Sequence, residues 1–216
     1  LSLVALFLLV SGLSFVQIPV KTSQLTISEE DYEAGVWMHQ HSQARGYAYP
    51  NNTVFTSWDT VRMLNYLAGS NRNPRGYSRV RYPKFLQSNE TTTWYRNLKQ
   101  QVGYVFIQQL NRPVRTGSVQ STLAGAFDET EPLGTAHYRL VYVDRSARVG
   151  IYRLVPGARI QASARPNTTI QIRGTVNVSG TRLEYERSVV TGHEGQYNVT
   201  VPYAGAYRVG DYTVTV

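Results

Sequence analysis

Trp58 and Asp59 stand directly after a short apolar run, Val54-Phe55-Thr56, and just before a segment whose apolar residues recur at helical spacing. Side chains at a strand end are carried on a loop, where folds commonly display function. An indole supplies a flat apolar wall and a carboxylate a hydrogen-bond acceptor, so the pair could hold a peptide hydroxyl or a sugar. The alternative is that Trp58 packs in the core and Asp59 caps the following helix.

A second feature lies just downstream. Between Asp59 and Glu90 there is no acidic residue, whereas Arg62, Arg72, Arg75, Arg79, Arg81 and Lys84 fall in that window, interleaved with Tyr66, Tyr77 and Tyr82. Guanidinium forks bind phosphate through paired hydrogen bonds, and phenol rings lie well against sugars. The stretch from Arg72 to Lys84 is therefore expected to be a loop in which Arg72, Arg75, Arg79, Arg81 and Lys84 bind an anion. A solvated basic face beside a membrane surface is the competing reading.

Other chemistries find little support. His39 and His41 are two apart on an expected helix and point in different directions, while His137 and His193 are far away in sequence. No metal site or cofactor is expected within the chain. Cysteine is absent, which removes thiol nucleophiles, disulfides and thiolate metal ligation together. Nucleophile-elbow, phosphate-loop and dinucleotide-loop motifs are also missing. No self-sufficient catalytic site is expected.

The elements that must position these residues begin with Leu1 to Val20, an uncharged run. That length matches the helix needed to cross the roughly 30 Å hydrocarbon core of a bilayer. A signal peptide would bring an initiating Met, a basic start and a small-residue cleavage site. The expectation is a transmembrane helix at the end of a longer protein, with membrane segments upstream. The net charge of +8 suits anionic lipid headgroups. Asn51, Asn89, Asn167, Asn177 and Asn198 each begin an N-x-S/T glycosylation acceptor. That is more than the roughly two that composition alone would give, which favours an extracytoplasmic soluble part and disfavours nucleic acid as a partner.

Ser28-Glu29-Glu30-Asp31 forms a capping box with acids on the first turn, predicting a helix from there to about Ser42. A turn region over Gly46 to Asn52 and the strand Val54 to Thr56 follow. Val61, Leu64 and Leu67 then share one face of a helix. Helices are also expected over Thr91 to Gln100 and Ser118 to Ala126, and strands over Gly103 to Ile107, Tyr138 to Val143 and Val149 to Val155. Beyond Pro156 short alternating segments separated by Gly, Pro and Asn predict about seven strands and no helix, the pattern of a small β-sandwich. The fold class is thus α+β: a transmembrane helix over 1–20, a mixed α/β extracytoplasmic domain over 21–155 and a β-sandwich domain over 156–216.

The order of these parts resembles the C-terminal extracytoplasmic region of archaeal, haloarchaeal-like oligosaccharyltransferase catalytic subunits, or a divergent membrane glycosyltransferase relative. The residues that carry the resemblance are the capped helix Glu29 to Ala34, the strand ending in Trp58-Asp59, Ala136 to Tyr142, Val155-Pro156-Gly157-Ala158 and Tyr197 to Tyr203. In that family a WWDYG motif recognises the hydroxyl of the acceptor Ser or Thr. Here Ser57-Trp58-Asp59-Thr60-Val61 keeps the central Trp and Asp and lacks the first Trp, the Tyr and the Gly. The resemblance implies acceptor binding by Trp58 and Asp59, with membrane lipids, a lipid-linked oligosaccharide and an acceptor polypeptide as partners. It also implies that the catalytic carboxylates and their divalent metal lie in a membrane part outside this chain. The alternative is a non-enzymatic membrane-anchored surface module that binds glycans or partner proteins.

Overall fold

The computed structural model describes residues 27–109, 114–127 and 132–216. The expected membrane helix over Leu1 to Val20 lies outside the described residues. Among those described, no helix is long and apolar enough to cross a membrane. The class is α+β with several antiparallel sheets.

Helix α1 (Glu29–Ala44) starts where the capping box predicts it. The Asp31 amide donates to Ser28 Oγ at 3.2 Å, and Glu29, Glu30 and Asp31 occupy the first turn. Strand β1 (Val54–Phe55) leads into α2 (Val61–Leu67). Gly35 of α1 faces the Leu67 side chain so closely that a Cβ at this position would overlap it. Glycine therefore permits the contact between these two helices.

Next come α3 (Arg75–Gln87), α4 (Thr91–Leu98), β2 (Tyr104–Gln108), α5 (Val119–Ala124), β3 (Tyr138–Asp144) and β4 (Val149–Leu154). The first sheet has the order β1-β2-β4-β3, with β1 and β2 parallel and the other pairs antiparallel. Successive strand residues point to opposite faces. Val54, Tyr104, Phe106, Val149 and Ile151 accordingly join Ala34, Met38 and Leu64 on one side, while Phe55, Val105, Ile107 and Tyr152 join Phe85, Leu98 and Leu123 on the other. Because helices cover both faces, the inner strands β2 and β4 are buried along almost their whole length, with Arg153 of β4 as the charged member.

Helix α3 corrects the expected basic loop. Ser78, Tyr82 and Phe85 are its buried residues, spaced four and three apart, and the Tyr82 hydroxyl donates to the Phe106 carbonyl at 2.8 Å. Arginines on the remaining faces and Pro83 inside the helix disguise this stripe in the sequence.

The C-terminal part contains β5 (Ala158–Ser163), β6 (Thr169–Val178), β7 (Thr181–Val190), β8 (Gln196–Val201), β9 (Ala206–Val209) and β10 (Tyr212–Thr215). They form a four-stranded antiparallel sheet of order β10-β9-β6-β7 and a separate β5-β8 ribbon, six strands where about seven were expected. The two strands expected over Thr169 to Ile172 and Thr175 to Val178 are one, because Gly174 is not a turn. It lies beneath the Tyr207 ring, where a Cβ would come within 3.0 Å of a ring carbon. The β6-β7 turn is Ser179-Gly180, with φ of 50° and 80°, the positive values that tight hairpins need.

The larger apolar cluster continues from the first sheet into this part through Leu140, Tyr185, Tyr203 and Tyr207. Leu133 pairs with the edge of β7: its amide donates to the Glu184 carbonyl and its carbonyl accepts from the Glu186 amide, both at 2.9 Å.

Candidate acceptor-binding cleft

The turn between β1 and α2 is built by short polar side chains. The Val61 amide donates to the Ser57 carbonyl at 3.0 Å, the Ser57 and Thr60 hydroxyls are 2.9 Å apart, and Asp59 Oδ1 accepts from the Thr60 amide at 3.0 Å. Asn65, which sequence reasoning missed, pins this turn from behind. Its Oδ1 accepts from the Val54 amide at 2.9 Å, and its Nδ2 donates to the Val54 and Val61 carbonyls at 3.0 and 2.8 Å. A fully engaged buried amide holds strand and helix in one geometry. An Asn in an apolar helical stripe, four residues after the helix start, is the signal that could have marked it.

Trp58 is 50% exposed, and the Arg75 guanidinium carbon stands 5.3 Å from the centre of its ring. Asp59 is exposed and lines a cleft of about 620 Å³ between the start of α1, the β1–α2 turn and the C-terminal half of α3. Met63, Leu86 and Phe106 give this cleft apolar walls, and Asp31, Gln108 and Gln120 give it polar ones. Trp58 does not line it, so the two members of the pair face different ground.

Asp31 is the second residue that sequence reasoning missed in this role, having placed it only as a first-turn acid. It is 6% exposed, its Oδ1 has no hydrogen-bond partner, and burial raises its pKa above the usual carboxylate value, with Glu30 and Asp59 adding repulsion. An apolar slot with two carboxylates is suited to receive hydroxyl or amide donors.

The basic residues do not converge. On α3, Arg75 and Arg79 follow one flank of the buried stripe, and Arg81 and Lys84 follow the opposite one. Arg72 precedes the helix and lies over Tyr49 at 4.8 Å, in a separate hollow of about 460 Å³ that also holds Tyr77. Arg81 lies 6.0 Å from the Tyr77 ring centre. None of the five lines the cleft beside Asp59.

The histidines of α1 have structural partners. His39 Nδ1 is 2.8 Å from the Leu67 carbonyl, which only a protonated nitrogen can satisfy. His41 Nδ1 is 2.7 Å from the Tyr104 hydroxyl. Among the described residues no group of three or more His, Cys, Asp or Glu side chains could hold a metal ion.

Against known proteins, residues 157–216 match the family described as the archaeal glycosylation protein B long peripheral domain. A search of curated protein sequences gives no match. Among solved structures, the fold is similar to archaeal oligosaccharyltransferase AglB from Archaeoglobus fulgidus in complex with an inhibitory peptide and a dolichol-phosphate. That likeness has a TM-score of 0.63 and 13% identity, and covers 88% of this chain and 41% of that one. A second structure of the Archaeoglobus fulgidus enzyme, tethered to an acceptor peptide containing the NVT sequon, matches with a TM-score of 0.62, 13% identity and coverage of 88% and 42%. A third, the complex with Zn and sulfate, matches with a TM-score of 0.62, 13% identity and coverage of 88% and 44%. The chain thus spans about two fifths of the length of the enzymes it resembles. In its C-terminal sequence and in the fold of most of its length, it is similar to the C-terminal region of archaeal oligosaccharyltransferases.

Proposed function

We propose that this chain is the extracytoplasmic C-terminal portion of a multi-spanning membrane glycosyltransferase of the oligosaccharyltransferase type, and that it supports binding of the acceptor polypeptide. The observation that carries this reading is the cleft beside Asp59, whose turn is fixed by Asn65 and whose walls set Met63, Leu86 and Phe106 among polar side chains that include Asp31 and Asp59. In this reading the Asp59 carboxylate accepts the hydroxyl hydrogen of an acceptor Ser or Thr, and Met63 and Leu86 lie against its aliphatic part. Exposed Trp58 gives the approaching chain an apolar wall outside the cleft.

Arg72, Arg75, Arg79, Arg81 and Lys84 form a spread basic surface that attracts anionic lipid and the phosphates of a lipid-linked oligosaccharide, rather than one anion pocket. Transfer chemistry belongs to carboxylates and a divalent metal outside this chain. The chain's own task is to hold the acceptor.

Binding of a fluorescent Asn-X-Thr peptide to the full chain in detergent micelles, followed by anisotropy, tests this reading. Loss of one hydrogen bond to a charged acceptor predicts about tenfold weaker binding of the matching Asn-X-Ala peptide. Equal binding of the two peptides would overturn the assignment.

A further inference from the structure

A third hollow, of about 490 Å³, lies where α1, β3 and the end of β6 meet, on ground distinct from the cleft beside Asp59. Its lining includes His41, Arg45 and Arg139, with Trp37 and Tyr203 as aromatic walls, and contains no carboxylate. The facing β6 strand brings Thr175 and Asn177, and Ser179 follows in the turn; the Thr175 and Ser179 hydroxyls donate to Glu184 and to the Val141 carbonyl, and the Asn177 side chain carries amide donors.

Behind the hollow stands a third guanidinium. Arg153 is 6% exposed and sits 4.2 Å from the Tyr47 ring centre and 4.6 Å from that of Tyr104. It donates to the backbone and side-chain oxygens of Asn51, with no carboxylate partner among the described residues. The Tyr104 hydroxyl in turn meets His41 Nδ1, so the buried cation adjoins the imidazole that faces the groove.

We propose that this groove binds an oxyanion group, phosphate, sulfate or carboxylate, carried on a small polar ligand. Three guanidiniums with no carboxylate paired to them among the described residues repel one another, and an entering anion relieves that repulsion while accepting from Arg45 and Arg139. Forked donors on two walls and the Asn177 amide on a third suit a group with several acceptor oxygens. Trp37 stacks on His41 at 4.6 Å between ring centres, which keeps the imidazole at the edge of the groove.

The charges already present explain the state of the imidazole. Burial first, then Arg45, Arg153 and Arg139, hold the His41 pKa down to about 4. At the rim of the groove Glu184 accepts from the Thr175 hydroxyl at 3.3 Å, and Glu33 and Asp144 act on Tyr142. Tyr47 and Tyr104 face the His41 ring, and Tyr203 lines the groove.

The test is an NMR titration of the His41 imidazole in the full chain in micelles, with His41→Gln to assign the signal. The probes are inorganic phosphate, glucuronate and, as an ionic-strength control, chloride. Binding predicts that phosphate or glucuronate raises the His41 pKa by about one unit, a tenfold easier protonation, while chloride does not. The tighter probe identifies a phosphate-bearing or a carboxylate-bearing ligand. Arg139→Gln and Arg45→Gln should each remove most of the rise, and Arg45 is exposed, so its variant tests binding without disturbing a packed side chain. Neither probe exceeding chloride, or an undiminished rise in both variants, would overturn the proposal.

Discussion

The Arg75 guanidinium carbon lies 5.3 Å from the centre of the Trp58 ring, which ties the first turn of α3 to the loop between β1 and α2. Two stretches separated by a basic, Gly- and Asn-containing connection are thereby held together at the surface. The contact orients an indole that is half exposed.

Arg75→Ala should leave the fold intact and free the indole. A cation over an exposed aromatic ring contributes about 0.5–1 kcal/mol, so the loss of stability in urea should be of that size. Trp58 fluorescence should shift to the red and become easier to quench with acrylamide, judged against a Trp58→Phe background that isolates the signals of Trp37 and Trp94. No change in either property would show that the contact does not hold the ring.

Tyr203 joins the C-terminal strands to the first sheet, its hydroxyl accepting from the Leu140 amide at 3.0 Å. Tyr203→Phe leaves that buried amide unpaired, at a cost of about 1–3 kcal/mol. Urea denaturation measures the loss. We propose the segment from Val155 to Arg159 as the boundary between the two parts, and the same variant should be cut there sooner in limited proteolysis.

His41 and Asp31 give opposite pH signatures. The His41 pKa is lowered to about 4, below the ordinary 6.5, so the unfolded chain binds the proton more readily. Its contribution to stability is present above pH 6.5 and is lost as pH falls from there toward 4. Denaturation at pH 7 and pH 5 should therefore show a smaller pH dependence in His41→Gln than in the parent chain. An unchanged dependence would contradict the buried, neutral imidazole.

The Asp31 pKa is raised, chiefly by burial, so its contribution is present below the unfolded carboxylate pKa and is lost as pH rises through the folded one. Asp31→Asn should stabilise the chain at neutral pH, and the gain should shrink in acid, where the parent carboxyl is already neutral. Thermal unfolding at two pH values reads this out. Destabilisation at neutral pH would mean that the charge is satisfied in solution.

What the sequence made legible depended on how local each signal is. Ser28 and the acids after it define a cap within one turn, and the strand over Gly103 to Ile107 is continuous because both of its faces are covered. Helix α3 was hidden because the stripe Ser78, Tyr82, Phe85 has a polar member and is flanked by charges, with Pro83 inside it. Gly174 reads as a turn until Tyr207, thirty-three residues on, is seen to cover it. The burial of Asp31 is likewise set by tertiary packing, whereas Asn65 left one local trace, a polar residue inside an apolar helical stripe. Trp58 and Asp59 were legible as a pair at a strand end, but their divergence, one toward Arg75 and the other into the cleft, was not.

The central claim is that Asp59 receives the acceptor hydroxyl, and a double-mutant cycle tests it most directly. Peptide affinity is measured for the parent chain and Asp59→Asn, each with Asn-X-Thr and Asn-X-Ala peptides. A direct contact predicts a coupling of about 1 kcal/mol or more between the two changes, so that Asp59→Asn weakens the Thr peptide and barely affects the Ala peptide. Additive effects within about 0.3 kcal/mol would contradict the account, because the hydroxyl would then be recognised elsewhere or not at all.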